Sequence, residues 1–331
     1  MPFYKKALGN GLRALITGGA GVLGSSLSWL LLRKGYQVTV MDIVRREEAW
    51  RLADLEVLGD VNYVWKNVAD VTADDVKGYD IVIDCAIGYA DRPMGISSPT
   101  SVMFGNLLPP LRLLEALRLA DFKGYAIYPS SFNALYGHMP GALFSEFSPP
   151  LPNNVYGWTK AATELLYRSY RRQYGLRTLV TRVGSAFGPR GRSDELPHRL
   201  IIYGLLGKRF TLRSPHAKRV WTYSEDAIGF YDRLLERLDD VYESGVFTLH
   251  LVGNKGDEVT TNVELAKRVK KYVPGLEWVE GEYEPGEKDV DFTYDSTLTR
   301  RLLNWSPQFS LDEGIERTVA WFKANLWRYS A

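Results

Sequence analysis

The stretch that most constrains the fold of this chain is an apolar run followed by spaced glycines and a helical pattern of leucines. The run Ala14–Ile16 is typical of a short buried strand. Three glycines follow it at intervals of three residues: Gly18, Gly21 and Gly24. Leucines then recur with the spacing of a helix face: Leu23, Leu27, Leu30 and Leu31. This order of strand, glycine turn and helix predicts a unit whose turn accommodates a phosphate group.

The three glycines have separate physical roles in such a turn. Gly18 permits the tight backbone angles, and Gly21 removes the side chain that would face a pyrophosphate. Gly24 lets the helix pack closely against the strand. Val22 and Leu23 begin the helix, whose first N–H groups attract an anion. We therefore expect these five residues to contact a dinucleotide.

A second apolar run, Gln37–Met41, ends in Asp42, about 20 residues beyond the turn, as expected of a ribose-binding carboxylate. A carboxylate accepts hydrogen bonds from ribose hydroxyls and repels a 2′-phosphate, so we predict NAD rather than NADP as the cofactor. Arg45 and Arg46 stand nearby and are able to meet a 2′-phosphate, which keeps NADP as the alternative. A glycine turn that merely closes an α/β unit, with Asp42 as a helix cap, is the structural alternative.

Further short apolar segments alternate with helical segments along the first half of the chain: 61–64, 81–83 and 125–128. Such alternation indicates a parallel sheet covered by helices on both faces. We predict an α/β fold, a doubly wound Rossmann-like parallel sheet with a smaller C-terminal α/β lobe. Residues 1–180 are predicted to form the NAD-binding domain. Residues 181–331 are predicted to form mainly the substrate-binding lobe, with some chain returning to the first domain.

Ligands of such sheets lie beyond the carboxyl ends of the strands, so the residues that follow each strand are candidate cofactor contacts. Asp70, Val71 and Ala86 occupy such positions. Asp70 is expected either to accept a hydrogen bond from the adenine amine or to cap a helix. Asn106 stands at the start of a leucine-rich helical pattern, where it is either a cofactor contact or a cap or kink residue.

The charge balance and the cysteine content exclude several classes of partner. Lys and Arg total 41 against 39 for Asp and Glu, so no global field favours nucleic acid or an anionic membrane. The single cysteine, Cys85, excludes an intrachain disulfide framework and a cysteine zinc site. The sequence has no signal-peptide pattern and no apolar run long enough to span a membrane, so we expect a cytoplasmic protein with a small-molecule substrate.

A tyrosine and a lysine stand one turn apart in a later helical pattern. From Tyr156, apolar positions recur with helical spacing as far as Gly175, which places Lys160 on the same helix face as Tyr156. A phenol with a pKa of about 10 is a poor base, but an adjacent ammonium and the positive nicotinamide of an oxidised cofactor favour the phenolate. Tyr156 is therefore predicted to remove a hydroxyl proton as hydride leaves the same carbon. Such pairs also occur on solvated helices.

Taken together, these motifs resemble the extended short-chain dehydrogenase/reductase family, in particular its NAD-dependent nucleotide-sugar epimerase and dehydratase branch. The resemblance covers nearly the whole chain. It is carried by a glycine motif, a catalytic-serine segment, an active-site helix, two substrate-lobe segments and two closing segments: 17–24, 130–137, 156–164, 182–189, 219–226, 303–307 and 311–314.

The resemblance implies roles for individual residues. Tyr156, Lys160 and Ser131 would be catalytic, and Tyr156 and Lys160 would also contact the cofactor. Lys160 would tune Tyr156 and bind the ribose. Ser131, Ser185 and Arg219 would bind the substrate, which would be a sugar nucleotide.

Three positions depart from the family pattern. The family places its catalytic Ser or Thr where Phe132 stands, and a phenyl ring cannot hydrogen-bond a reacting hydroxyl. Ser131 or Ser130 would take over that role if the end of the strand is shifted by one residue, although such a shift turns a side chain to the opposite face. We predict Ser131. Ser185 replaces the usual substrate-binding Asn. Glu284 replaces an arginine, and its carboxylate would repel a diphosphate.

Two residues of the serine segment restrict the class of reaction that the chain is expected to catalyse. Family dehydratases carry an Asp-Glu pair where this chain has Asn133 and Ala134. Eliminating water needs an acid and a base beyond the hydride site, so dehydration is disfavoured. The chemistry that remains is hydride and proton transfer. The resemblance then implies an NAD-dependent nucleotide-sugar 4-epimerase of the UDP-glucose/UDP-galactose type that retains its NAD.

Two other functions remain open at this point. Glu284 and Ser185 favour an NAD-dependent dehydrogenase of a free sugar, uronate or small alcohol, and Phe132 motivates a catalytically inactive protein that binds a cofactor or ligand. The resemblance also implies a homodimer formed through the helices that contain Leu111–Leu117 and Leu165–Tyr170. Core packing explains the apolar faces of those helices equally well.

Overall fold

The computed structural model describes residues 11–88, 98–284, 288 and 290–329. Its strands are β1 Arg13–Thr17, β2 Gln37–Asp42, β3 Asn62–Trp65, β4 Ile81–Asp84, β5 Tyr125–Ser131, β6 Ala142–Phe144, β7 Arg177–Val183, β8 Ser185–Phe187, β9 Arg209–Leu212, β10 Lys218–Tyr223, β11 Thr248–Leu251, β12 Val259–Thr261, β13 Glu277–Glu280 and β14 Phe292–Tyr294. Its α-helices are α1 Val22–Arg33, α2 Trp50–Asp54, α3 Pro99–Leu119, α4 Val155–Tyr174, α5 Leu196–Leu205, α6 Ser224–Glu236, α7 Leu238–Glu243, α8 Asn262–Tyr272, α9 Thr297–Leu303 and α10 Leu311–Asn325. Short 3₁₀ turns lie at Arg46–Glu48, Val68–Asp70, Asp74–Val76, Phe132–Ala134 and Leu326–Arg328.

The central sheet has seven strands in the order β11-β7-β5-β4-β1-β2-β3, and each strand runs parallel to its neighbours. The strand order reverses between β1 and β4, which makes the crevice beyond their carboxyl ends the expected ligand position. The glycine turn leaves β1 at this crevice. The predicted doubly wound parallel sheet is therefore confirmed.

Helices cover both faces of this sheet because successive strand residues point to opposite sides. On β1, Ile16 packs into a cluster that includes Leu27 of α1 and Phe230 of α6. Its neighbour Leu15 packs on the other face against residues of α3 and α4, including Leu113. In the described part of the chain, no helix combines the length and the apolar character that crossing a membrane requires.

The smaller lobe is built from short sheets and three helices. Strand β10 pairs with β8 and β12, and β9 pairs with β13. Helices α5, α8 and α10 supply buried residues to its core, among them Leu200, Leu265 and Ile315.

The chain crosses between the two parts of the fold in both directions. Strand β11 lies beside β7 at the edge of the central sheet, far along the chain from its partner. Conversely, β6 leaves the first half of the chain and pairs with β14. The second crossing lies beside the serine segment, because Phe144 of β6 and Phe292 of β14 pack against Phe132.

The glycine turn has the close approaches that its spacing predicts. Gly18 has φ +64°, and a Cβ built on it would lie 2.6 Å from the carbonyl oxygen of Cys85. A Cβ on Gly24 would lie 2.3 Å from the carbonyl oxygen of Gly18, which is main chain and cannot rotate away. Helix α1 is thereby able to start directly against the end of β1.

We expect Gly24→Ala to destabilise the protein by about 1–3 kcal/mol, because its methyl group would force α1 away from the turn. NAD affinity should fall with it, since the same backbone holds the phosphates. Gly59→Ala is the matched control, because a Cβ there meets nothing within 4 Å. Urea unfolding and NAD titration of both variants measure the effects. Equal stability of the two variants would contradict the packing argument.

Candidate active site

The turn after β1 is tied to the end of β2 by Asp42. One carboxylate oxygen of Asp42 accepts a hydrogen bond from the N–H of Ala20 at 2.9 Å, and the other accepts from the N–H of Val44 at 3.0 Å. Asp42 therefore fixes the shape of the turn while its remaining lone pairs can accept from a ribose. It does not cap a helix.

The start of α1 fits a pyrophosphate. Gly21 is the N-cap residue of α1, and no side chain caps the helix there. The N–H groups of the first turn, at Val22 and Leu23, are thus available to an anion. A Cβ on Gly21 would enter the turn 3.1 Å from the carbonyl oxygen of Gly18, so the missing side chain keeps this space open. These features fit the dinucleotide predicted from the sequence.

The candidate cofactor contacts that follow β3 and β4 differ in exposure. Asp70 is exposed at the end of a 3₁₀ turn, and Asn67 caps that turn by accepting from the N–H of Ala69. The capping alternative for Asp70 is therefore wrong, and its predicted contact with adenine stays a prediction. Val71 is buried beside it, and the backbone of Ala86 lies against Gly18.

Asn106 lies inside helix α3, which begins at Pro99, so the expectation that Asn106 starts this helix is wrong. The helix begins earlier because Pro99 suits the first turn, where no N–H partner is needed. The buried amide of Asn106 donates to the hydroxyl of Thr159 at 3.2 Å and accepts from the N–H of Gly88 at 3.0 Å. Asn106 therefore joins α3 to the helix that carries Tyr156.

Helix α4 brings Tyr156 and Lys160 to the carboxyl edge of the sheet. Asn154 is its N-cap and accepts from the N–H of Gly157 at 2.7 Å, and Gly175 ends the helix with φ +71°. Tyr156 is half-buried, whereas Lys160 is buried. The predicted helix and the shared face of the pair are thus present.

The ammonium of Lys160 is held by the sheet. Its Nζ donates to the carbonyl oxygen of Pro129 at 2.9 Å and lies 4.7 Å from the ring centre of Tyr128. Burial lowers the pKa of Lys160 to about 8, and the carboxylate of Asp84 opposes this shift. Lys160 is therefore a fixed cation that is close to losing its proton near neutral pH.

The pKa of Tyr156 is raised to about 12, chiefly by burial and then by the carboxylate of Glu195, while Ser131 and Arg192 lower it. The sequence predicts the opposite direction, with Lys160 moving this pKa towards neutrality. That expectation is wrong for the protein side chains alone, because the Lys160 ammonium is directed at Pro129. The other charge invoked in the prediction, the nicotinamide, belongs to the bound cofactor.

The end of β5 distinguishes between the two candidate serines. Ser130 donates to Glu164 Oε1 at 2.5 Å, and Glu164 forms a buried ion pair with Arg182 at 2.8 Å. Ser131 points to the other face of the strand, interacts with Tyr156 and lowers the pKa of that phenol. Ser131 is therefore the serine that faces the predicted base, and its catalytic role remains a prediction.

Phe132 belongs to an aromatic cluster, which explains its departure from the family pattern. It is 1% exposed, and its ring centre lies 4.8 Å from that of His250, 6.1 Å from that of Phe144 and 6.3 Å from that of Phe292. These rings come from four separate parts of the chain. Phe132 therefore packs in the protein interior behind the serine segment, and Ser131 remains the predicted source of the hydroxyl.

The predicted substrate residues lie on two neighbouring strands. Ser185 of β8 pairs in register with Trp221 of β10, and Arg219 lies two residues earlier on β10. Arg219 is buried, donates to the carbonyl oxygen of Lys218 at 2.7 Å and stands 5.1 Å from the ring centre of Tyr136. The fold thus brings both predicted residues to one sheet beside the serine segment.

The loop that follows β8 carries charged residues near Tyr156 that no sequence motif identifies. His198 holds this loop, accepting from the N–H of Gly188 at 3.2 Å while its other ring nitrogen is 2.8 Å from the carbonyl oxygen of Arg192. Arg192, which pairs with Asp194, and Glu195 both act electrostatically on Tyr156. No local pattern identifies these charges, because only tertiary contact brings them to the phenol.

We expect Lys160→Met to raise stability at pH 7 by about 2 kcal/mol and to have no such effect above about pH 10. Because the pKa of Lys160 is lowered from 10.5 to about 8 in the fold, the unfolded chain binds more protons between these values. The free energy of unfolding of the wild type therefore rises with pH across that window. Urea unfolding of both proteins from pH 7 to 10.5 measures it, and a pH-independent difference would contradict the shift.

A family model described as the NAD dependent epimerase/dehydratase family matches residues 14–249 of this chain. That range runs from β1 into β11 and includes the glycine turn, Ser131 and helix α4. Among characterised relatives, the dTDP-glucose 4,6-dehydratase of Streptomyces niveus is 30% identical over 95% of this chain and 94% of that protein.

Solved structures share the fold over almost the whole chain. The dTDP-glucose 4,6-dehydratase of Streptomyces venezuelae, solved with NAD bound, has a TM-score of 0.85 at 24% identity, covering 96% of this chain and 99% of that one. The UDP-glucose 4-epimerase of Thermotoga maritima, solved with UDP-glucose, has a TM-score of 0.81 at 23% identity, covering 95% and 100%. The prediction of NAD as the cofactor is confirmed, and the chain belongs to the NAD-dependent epimerase/dehydratase family.

Proposed function

We propose that this protein is an NAD-dependent nucleotide-sugar 4-epimerase that oxidises its substrate to a 4-keto sugar and then reduces it on the other face. The observation that carries the proposal is the composition of the site around Tyr156. A serine hydroxyl interacts with the phenol there, and a buried ammonium lies one helical turn along α4 and is held at Pro129. The two positions that follow the catalytic serine in the family pattern hold an amide and a methyl group, Asn133 and Ala134.

Tyr156 would act as the base in its phenolate form. It would take the proton of the sugar 4-hydroxyl, and the hydrogen on C4 would leave with its electron pair as the carbonyl forms. NAD, held by the glycine turn and Asp42, supplies the hydride acceptor when it is bound. Ser131 would hydrogen-bond the reacting oxygen, and Lys160 would bind the ribose. Rotation of the keto sugar followed by the reverse steps gives the epimer, with no net redox change.

The nature of residues 133 and 134 supports epimerisation over dehydration, although the relatives named above include dehydratases. Ala134 is fully buried and has no polar atom, and the amide of Asn133 is bonded to Ser131 at 3.1 Å. Neither residue can supply the additional acid and base that loss of water requires. The thiol of Cys85 is not an acid or base at neutral pH either, because burial raises its pKa.

The substrate would be a sugar nucleotide whose diphosphate lies near Arg219. Glu284 was expected to repel such a group, but its carboxylate is 3.2 Å from Nη1 of Arg213. This pairing offsets the negative charge and weakens the case for a dehydrogenase acting on a free sugar. The base and the sugar of the nucleotide are left to experiment.

The first test is conversion of UDP-glucose or UDP-galactose by the purified protein without added cofactor. We expect interconversion without accumulation of NADH, because the hydride returns to the sugar. Steady NADH formation from added NAD would instead indicate a dehydrogenase. Other nucleotide sugars form the next panel if this pair is inert.

We expect Tyr156→Phe to lower kcat by about 10³-fold or more, because the variant keeps the ring but has no group that takes the proton. NAD content and thermal stability should stay near those of the wild type. Turnover and bound NAD are measured on the same preparation. An active variant would overturn the role of Tyr156 as the base. A wild type that binds NAD but turns over no substrate would favour a protein that only binds its cofactor.

We also propose that the protein forms a homodimer through α3 and α4. The residues first suggested for this contact divide in the structure: Leu117 and Tyr170 are in the core, whereas Leu111 and Leu165 are exposed. On α3, Phe104 is 69% exposed and Leu108 42%, in line with Leu111 along one helix face. On α4, Trp158 and Leu165 are also exposed. Exposed apolar rows on two packed helices support a helix-bundle interface.

We expect Phe104→Glu to convert the dimer to monomers, since a carboxylate in an apolar interface loses its hydration without a partner. Phe147→Glu is the control, because Phe147 is 79% exposed but lies outside both helices. Sedimentation velocity of the wild type and both variants distinguishes the outcomes. A monomeric wild type, or a dimeric Phe104→Glu variant, would contradict the interface.

A further inference from the structure

The hydroxyl oxygen of Ser131 accepts two hydrogen bonds from Asn133. It accepts from the backbone N–H of Asn133 at 3.2 Å and from the side-chain Nδ2 of Asn133 at 3.1 Å. A serine hydroxyl has two lone pairs and one proton. Because Asn133 occupies both lone pairs, the proton of Ser131 can only be donated to a different group.

The amide of Asn133 is oriented by the start of helix α4. The N–H of Gly157 is a donor, so the atom of Asn154 that it meets at 2.7 Å is the carbonyl oxygen. The Nδ2 of Asn154 is then free to donate, and it lies 2.8 Å from Asn153 Oδ1 and 3.4 Å from Asn133 Oδ1. With its oxygen directed at Asn154, Asn133 presents its NH₂ group to Ser131. The N–H of Gly157 thus sets the donor and acceptor of each hydrogen bond from Asn154 through Asn133 to Ser131.

We propose that Asn133, oriented by Asn154, is a positioning residue that directs the Ser131 proton toward the oxygen of Tyr156 and the reacting sugar oxygen. The inference deepens the proposed epimerase, on which it rests. Position 133 is where family dehydratases are expected to carry a carboxylate. The amide of Asn133 would therefore do more than leave the site without an acid, because it would also orient Ser131.

The direction of this bond matters because the phenolate needs donors. When Tyr156 holds the negative charge, the O–H of Ser131 stabilises it, and when the phenol is protonated the same O–H can donate to the sugar oxygen. Other groups that act on Tyr156 from neighbouring elements are Arg192, Glu195 and Tyr136. None of them depends on the orientation of the Asn133 amide, so a change at 133 can be separated from their effects.

The decisive variant is Asn133→Asp, which is close in shape but presents only acceptors. Its carboxylate would accept from Asn154 with one oxygen and from the O–H of Ser131 with the other, which turns the proton away from Tyr156. We expect kcat to fall by about tenfold or more at pH 7, the equivalent of one charge-assisted hydrogen bond. The acid limb of the kcat profile should move to higher pH, because the phenolate loses a donor. KM should change little.

Asn133→Ala is the matched control, because it removes the amide without adding an acceptor and leaves the Ser131 proton free. We expect it to lower kcat by about threefold, less than Asn133→Asp does, because the Ser131 proton is then no longer directed but is not turned away either. A purely structural role for Asn133 would reverse this order, since the alanine variant deletes more contacts. Loss of kcat in Asn133→Ala equal to or greater than that in Asn133→Asp, with similar melting temperatures, would overturn the proposal.

The new negative charge of Asn133→Asp also raises the pKa of Tyr156 directly, so the variant is repeated in a Ser131→Ala background. If the effect passes through the Ser131 proton, the upward shift of the Tyr156 pKa should be smaller in that background. The pKa is read in the NAD-loaded protein by ¹³C NMR of labelled tyrosine, with Tyr156→Phe assigning the signal. An undiminished shift would mean that charge alone acts, and the proposal would fail.

This titration also separates the inference from the proposed function. It reports the Ser131–Tyr156 contact whether or not a substrate turns over. A wild type that is inert towards nucleotide sugars but shows the background-dependent shift would reject the epimerase and retain the positioning role of Asn133. An active epimerase whose Asn133→Asp variant keeps the wild-type kcat and pH profile would support the proposed function and reject the positioning role of Asn133.

Discussion

The buried ion pair between Arg182 and Glu164 is the contact on which the geometry of the site depends. Arg182 lies on β7 and Glu164 on α4, and both side chains are 3% exposed. Removing one partner of such a pair leaves an uncompensated charge and typically costs about 3–5 kcal/mol. The pair therefore fixes helix α4, which carries Tyr156 and Lys160, against the central sheet. Ser130 joins it through Glu164, so its neighbour Ser131 is turned to the opposite face, toward Tyr156.

The site combines a buried aromatic cluster on one side with polar groups on the other, and the hydrogen bonds between those polar groups have fixed directions. Phe132 and its neighbouring rings fill the space behind the serine segment. On the other side, hydrogen bonds connect Gly157 to Asn154, Asn154 to Asn133 and Asn133 to Ser131. The first donor in this series is a backbone N–H, whose direction is known. These groups are partly shielded from water, so their hydrogen bonds to each other matter, and the N–H of Gly157 sets the direction of each bond in the series. Under the proposed function, the amide of Asn133 stands on this scaffold where the family dehydratases carry a carboxylate.

Much of the fold and part of the site could be predicted from local patterns. The glycine turn, the strand ending in Asp42 and the helix carrying Tyr156 and Lys160 are encoded by spacing alone, and the structure has all three. Other expectations failed because they depended on distant residues. The start of α3 lies before Asn106. The pKa of Tyr156 is raised because burial and Glu195 outweigh Ser131 and Arg192, while the ammonium of Lys160 is directed at Pro129.

The sequence by itself determined the parallel sheet, the phosphate turn and the cofactor class, because these depend on periodicity and on glycines within a few residues of each other. Only the tertiary structure showed that Ser131, and not Ser130, faces Tyr156, and that Phe132 packs in an aromatic cluster. It also brought Arg192 and Glu195 to the phenol. The physical reason is that the direction of a side chain at the end of a buried strand is set by its partners. In this protein those partners come from α4, from β7 and from the loop after β8.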